Sequence, residues 1–497
     1  MLRGAARSLV ALFCLGFIGS ISSIAQTSSC PTSFSPPIGV TSFSSHLICL
    51  VPQVYGPGGL VGTNNGGPLL PTGNLGVGPH EVHFQQASAS SLGPLNEEIG
   101  TQISQLPLAS PASGFIFSFN PGLGVVSRST QSFGPILTDR AETIGKHRLF
   151  VGFSYQYFDF DRADGVNLRR FGAVYQHEPE PDLCVGQPPN APPFFCMNGE
   201  PLFTKDVIAT TNHIDLFVNQ YTGVATFGIT DRLDISVAIP ILNVRMSTSS
   251  DATIQSFEPP NPIIVPVGNN QLHQFATPSP DPSHEIVYGP TRAQFFNGRT
   301  ATGIGDVIIR GKFRVLQRER SGLSVGVDVH TPTGDAMQFL GQGTVGVRPF
   351  VTYSRTGRVA PHGSFGYQRN GDSVLAGDPT GTAASTKVVK SHLPDILTYD
   401  AGVDAGLNRR ITVSADFIGQ SLLSAARINA TSFTDFGGNV HSDLTSSTGT
   451  VNQESIAVGA KISPFGKFLI TANVLFRVND AGLTSKPTPL IGASYTF

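Results

Sequence analysis

From His147 to Phe497 the chain repeats one device: runs of about ten residues with an apolar side chain at every second position. Leu149, Val151, Phe153, Tyr155 and Tyr157 alternate with Gly152, Ser154 and Gln156. Leu233, Ile235, Val237, Ile239 and Ile241 alternate with Asp234, Ser236 and Ala238. The pattern recurs from Val307, Leu323, Val345, Leu397, Ile411, Ile456 and Phe468, and it ends on Ile491, Ala493, Tyr495 and Phe497. A period of two places alternate residues on opposite faces of a strand. Ten residues is about the length a tilted strand needs to cross a bilayer. Around the stretch 214–227 the apolar phase flips near Asn219, which predicts a bulge or two abutting strands.

The connections predict how these strands are arranged. Tight turns at Thr230-Asp231-Arg232, Arg318 to Gly322, Ser354 to Arg358, Asn408-Arg409 and Pro464-Phe465-Gly466 alternate with long links over 246–302, 371–394 and 426–452. Short turns on one rim and long loops on the other are the habit of transmembrane barrels. The expected fold is all-β: a transmembrane antiparallel β-barrel of about 12 strands, within a range of about 10–14, preceded by a loop-rich N-terminal segment. The upper count uses 115–128 as two more strands. A secreted β-sandwich would share the alternation but not the asymmetric rims. The low content of charged residues, 13%, agrees with a lipid-facing surface, since soluble domains carry roughly 25%. The net charge of −2 supplies no field for nucleic acid.

Three regions are expected along the chain. Residues 1–25 combine Arg3 and Arg7, the apolar run Leu9 to Ile18 and small residues up to Ala25, the pattern of a cleaved secretory signal that directs the chain out through the inner membrane. That run is too short to span a bilayer, which takes roughly 20 residues. Residues 26–146 are rich in Gly, Pro, Ser and Asn, with a loop-like stretch over 54–67 and room for a short helix over 91–104; they read as a periplasmic extension or a plug in the barrel mouth. Residues 147–497 are the barrel itself. Cys30, Cys49, Cys184 and Cys196 remain once Cys14 leaves with the signal. Their two local pairs make disulfides Cys30–Cys49 and Cys184–Cys196 the expected pairing among three possible connectivities, in an exported, oxidising setting.

No residue pattern calls for an enzyme, a cofactor or a metal. Gly341-Gln342-Gly343-Thr344-Val345-Gly346 spells GxGxxG, but Val345, Val347 and Pro349 continue it as a strand where a dinucleotide site needs a helix. Neither HExxH nor a P-loop occurs, and neither cysteine pair has zinc-ligand spacing. The informative polar residues are charges on the face opposite the apolar one. Arg310, Lys312, Arg314, Arg348, Lys461 and Arg477 supply one sign there, and Asp328, Asp400, Asp404 and Asp416 the other. They are expected to line the lumen. One reading makes them a polarised constriction that sorts solutes by size and charge; the other has them pairing across a filled interior. Two functions stay open: passive passage of small solutes, or a non-conducting structural or surface-interaction barrel.

Two stretches resemble known families. The ending, with Gly492, Tyr495 and the terminal Phe497, resembles the C-terminal recognition signal of bacterial outer-membrane proteins, and Leu490 stands where a polar residue is commoner. That resemblance implies the barrel-assembly machinery and outer-membrane lipid as partners. The blocks Glu142 to Tyr155, Gly228 to Pro240, Gly303 to Lys312, Thr331 to Asp335 and Pro361 to Tyr367 resemble, in order, the outer-membrane meta-pathway phenol-degradation transporter-like proteins, distantly like long-chain fatty-acid channels. This implies a monomeric barrel in the cell outer membrane of a Gram-negative bacterium, passing small hydrophobic or aromatic compounds.

Overall fold

In the computed structural model the alternating runs close on themselves. The described residues are 46–52, 81–110, 132–176, 205–257, 291–377 and 389–497, with short pieces at 30, 54, 62–64, 117–120, 125–128, 196–197, 200–201, 273–275, 285–289 and 379. The barrel strands are β1 (Leu149–Ala163), β2 (Val207–Gly228), β3 (Leu233–Gln255), β4 in two segments (Arg292–Ile304 and Ile308–Arg318), β5 (Ser321–His330) and β6 (Gly346–Arg355). They continue with β7 (Val359–Gln368), β8 (Asp395–Gly406), β9 (Ile411–Thr434), β10 (Val440–Ile462), β11 (Phe468–Arg477) and β12 in two segments (Leu483–Ser485 and Thr488–Thr496). They form a closed antiparallel barrel of 12 strands. β12 completes the ring by pairing with β1 from Leu490↔Gln156 to Thr496↔Phe150. No strand edge is left open at closure, as hydrocarbon demands of a spanning sheet. Among the described residues no helix is long and apolar enough to cross a membrane.

Three expectations need correction. The pieces Phe117–Asn120 and Val125–Arg128 pair only with each other, so they add nothing to the barrel. The loop-like stretch near residue 62 holds a short strand, Gly62–Asn64, paired with His273–Phe275. Two of the long links carry strand well past the expected ends: β9 and β10 pair out to Thr434↔Val440, and β3 pairs with β4 out to Thr253↔Arg292. Residues 1–25 and Cys184 lie outside the described residues.

The phase flip near Asn219 is not a bulge. β2 is a single 22-residue strand, paired without interruption to β3. Its even-numbered residues are buried along its whole length. What changes is the medium on each face. Near the short-turn end the inward side chains are Gln220, Thr222 and Thr226, and the outward ones are Tyr221, Ala225 and Phe227. Toward the other end Ile214, Leu216 and Val218 point inward, while His213 and Asp215 face out. β3 does the same, with inward Asp234 and Ser236 giving way to Leu242, Val244 and Met246. The hydrophobic face thus inverts where the wall leaves the lipid-facing belt and wraps an apolar core.

That core fills the long-strand half of the barrel. Helix α1 (Glu81–Ile103) contributes Leu92, Leu95, Ile99 and Ile103, at the spacing of one helical face. It packs on two inward-folded loops carrying the 3-10 turns Ala336–Gln338 and Val374–Ala376. Gly100 is required at this contact, since a Cβ there would stand 2.9 Å from both Leu375 and Phe339. The turn Leu47–Cys49 seats beside Ala336–Gln338 and is tied to Cys30 by a disulfide, Cys30–Cys49. Outward, Val151, Phe153, Ile235, Ile309, Phe313 and Val327 form part of an exposed apolar belt.

Candidate functional site: the barrel lumen

Below the apolar core the lumen holds a strap of chain, residues 132–146, gripped from across the wall. Phe133 N–H donates to Thr412 Oγ1 of β9 at 3.0 Å, and Ala141 N–H to Ser354 Oγ of β6 at 3.0 Å. Ile144 N–H donates to Asp234 Oδ2 of β3 at 3.0 Å. Two buried lysines clamp strap carbonyls. Lys312 of β4 donates to Arg140 O at 3.0 Å and Glu142 O at 2.9 Å; Lys461 of β10 donates to Gly134 O at 2.9 Å and to Pro135 O. Ser324 of β5 donates to Ala141 O. The strap has no sheet of its own, so the wall's polar side chains satisfy its backbone. Those same bonds spare the lysines the cost of unpaired buried charge.

Midway up lies a chamber of about 290 Å³, walled by apolar Phe158, Phe160, Leu242, Leu340 and Phe350 and by several charged groups. Its centre is an alternating row of ions. Arg310 donates through Nε (2.6 Å) and Nη2 (2.7 Å) to Asp328 and through Nη1 to Asp139 of the strap at 2.5 Å. Arg348 reaches Asp328 Oδ2 from the other side, through Nε at 3.1 Å and Nη2 at 2.5 Å. Both guanidinium carbons lie near the Phe350 ring, at 4.9 and 5.8 Å from its centroid. Gly326 makes room for that ring, since a Cβ there would come within 2.3 Å of Phe350. Burial pushes the Asp139 carboxyl up, and the Arg310 and Lys312 charges overcome this, leaving it below its ordinary range.

All ten charges read from the sequence carry polar partners or neighbours in this wall, but not at one place. Arg310, Asp328 and Arg348 meet in the ionic row, and Lys312 and Lys461 hold the strap. Asp416 accepts from His362 at 2.9 Å and from Thr138 Oγ1 of the strap at 3.2 Å; Asp404 stands 3.7 Å from the same imidazole. Asp400 accepts from Ser364 N–H at 3.1 Å and from its hydroxyl. Arg314 sits at the short-turn rim, donating to Asp231 O at 2.6 Å. Arg477 lies at the opposite edge of the chamber, bound to Asp161 at 2.6 Å and Asp480 at 3.2 Å. The pairing across a filled interior, rather than a free ladder, is the arrangement found. Sequence reasoning read residues 26–146 as an extension or plug but missed Asp139, His362, Phe350 and the way the wall grips residues 132–146, which show no periodicity. Phe158 and Phe160 could have been noticed: they break the outward aromatic phase of Tyr155 and Tyr157. At the closing seam Tyr495 stacks edge-on with Phe497, whose N–H donates to Leu149 O at 2.7 Å, and Gly492 pairs with Ser154.

Residues 204–387 match the family model described as "Putative MetA-pathway of phenol degradation". No curated protein matches the chain. Among solved structures it is similar to the COG4313 outer membrane channel from Pseudomonas putida F1, at 10% identity and a TM-score of 0.40 over 72% of this chain and 99% of that one. A Pseudomonas aeruginosa FadL homologue matches at 10% identity and a TM-score of 0.30, over 71% and 90% of the two chains. The toluene transporter TbuX of Ralstonia pickettii matches at 10% identity and a TM-score of 0.24, over 71% and 89%.

Proposed function

We propose that this chain, which belongs over residues 204–387 to that phenol-degradation family of outer-membrane barrels, passes small hydrophobic or aromatic compounds passively across the outer membrane. The observation that carries the reading is the chamber: a space of about 290 Å³ with a phenylalanine- and leucine-lined part to its wall, stationed along a lipid-spanning barrel. Transfer through such a space runs down a gradient. The apolar seal of α1 and the two inward loops closes the outer end, and the strap closes the periplasmic end. The turn Leu47–Cys49, α1 and the strap therefore act as a plug, and passage requires the strap to leave its clamps. Barrel-assembly machinery reading the seam at Gly492, Tyr495 and Phe497, a cleaved signal in residues 1–25 and a monomeric barrel complete the proposal.

A cross-link tests it. A Cβ placed on Gly322 of β5 would lie 3.3 Å from the Ala141 Cβ of the strap, close to the spacing a disulfide takes. The pair Ala141→Cys and Gly322→Cys should conduct and pass toluene into liposomes when reduced, and stop doing so when oxidised. Equal flux in both states rules out gating by the strap. Absence of flux in the parent and in both states favours the non-conducting barrel, a reading that the filling of both lumen ends also supports.

A further inference from the structure

We infer that the mid-barrel chamber is a binding site for a small monocyclic aromatic carboxylate, its ring on the phenylalanine wall and its carboxylate on Arg348 and Gln102. The inference rests on the transport reading above and specifies what the same space holds.

Hydrogen-bonding capacity around the chamber is unevenly spent between acceptors and donors. Five acids line it. Asp328 has both oxygens bound by Arg310 and Arg348, and Asp139 has its two on Ser110 and Arg310. Asp306 spends its pair on the N–H groups of Gly334 (2.9 Å) and Gln342 (2.6 Å), and Asp400 both of its own on Ser364. The fifth, Glu454, follows inward Gln453 on β10 and so falls on the outward parity of that strand. Four of the five acids thus have both carboxyl oxygens occupied, and the fifth stands on the outward parity.

The donors are not. Arg310 has committed all three of its nitrogens. Arg348 commits Nε and Nη2 to Asp328 and leaves Nη1 without a partner among the described residues, with a side chain 25% exposed. Gln102 lines the same chamber from the end of α1 and is 4% exposed. Its Oε1 accepts from Gln453 Nε2 and Leu483 N–H, each at 2.5 Å, which fixes the amide's sense; its Nε2 is buried with no partner. A buried unpaired donor is costly and rarely tolerated without a ligand or water to accept from it. Two vacant donors, one of them cationic, beside saturated acids select a group that only accepts: a carboxylate. The rest of the wall selects a ring. Phe158 and Phe160 lie nearly parallel, with centroids 5.7 Å apart, and Phe350 lies under the guanidinium pair. The volume suits one ring with a short polar substituent, being about that of ten water molecules.

The test is calorimetric titration of the full chain in detergent micelles with benzoate, benzamide and acetate. Benzoate should bind saturably, at least about tenfold tighter than benzamide, its neutral isostere, and than acetate, which lacks the ring. Arg348→Gln should weaken benzoate by about tenfold or more and leave benzamide within about twofold. Gln102→Leu, which keeps the bulk, should weaken benzoate by about fivefold. Retention of the barrel's thermal transition would show that each variant is folded. Equal affinity for benzoate and benzamide, or benzoate affinity untouched by both substitutions, overturns the inference. The transport reading fails separately: benzoate binding without flux removes transport and keeps the site, whereas toluene flux without benzoate selectivity keeps transport and removes the site.

Discussion

Replacing Lys312 with Met probes how firmly the strap is held. The ammonium is buried and donates to two strap carbonyls, Arg140 O at 3.0 Å and Glu142 O at 2.9 Å. Met preserves the stem and removes both bonds. Hydrogen bonds to a charged donor contribute about 1.5–3 kcal/mol each, so the pair is worth about 3–6 kcal/mol. Against this, the strap-out state lets the ammonium regain water, an effect of several kcal/mol in the other direction. Set against each other, these put the net loss at the lower end of the range for the pair, about 3 kcal/mol. That is about a hundredfold in the equilibrium between strap-in and strap-out. Amide hydrogen exchange on the full chain in micelles reads this directly, because Phe133, Ala141 and Ile144 hold their N–H groups on Thr412, Ser354 and Asp234. All three should exchange about a hundredfold faster in Lys312→Met, while the β1–β2 ladder keeps its rates. Lys461→Met, at the far end of the strap, should accelerate the same three amides if the strap moves as one unit. Exchange within about twofold of the parent at all three positions would refute the clamp.

Two further expectations follow from burial. Glu98 on α1 is 1% exposed; burial first and the Asp164 charge second hold its carboxyl well above 4.5, against the pull of Arg427 and a backbone hydrogen bond at Asp164. The docked helix therefore binds a proton that the released helix gives up, so docking weakens as pH rises above 4.5 and is indifferent below it. Burial also lifts Glu97, to about 7, so it adds a second loss of docking that runs from about 4.5 to about 7 and levels off above. Glu98→Gln should flatten the pH dependence of exchange across α1 while leaving the Glu97 step; an unchanged profile would show that Glu98 plays no part. On the outer wall, Ile309 is 45% exposed, lies between exposed Ile304 and Phe313 of the apolar belt, and pairs with Val237 and Val329. Ile309→Lys should destabilise the barrel in vesicles by about 2–4 kcal/mol in urea titrations, and an unchanged midpoint would place Ile309 off the lipid face.

The barrel was legible in the chain because a period of two is a local property. Each residue's side of the wall follows from its parity, so Arg310, Lys312, Asp328, Asp404 and Lys461 could be set inside without any tertiary information. The same locality explains the errors. Parity says which face a residue takes but not what lies against that face, so the flip at Asn219 read as a bulge when the strand was continuous and its surroundings had changed from lipid outside to apolar core inside. Strand length past the membrane was hidden for the same reason: residues 426–452 lack the lipid-facing signal, yet they pair as β9 and β10. What only the tertiary structure decided is the content of the lumen. The strap has no period, Asp139 lies 171 residues from Arg310, and Gln102 lies 351 from Gln453. Such contacts arise when closing the ring brings distant polar groups into one dry interior, where each must find a partner or leave a vacancy for a ligand.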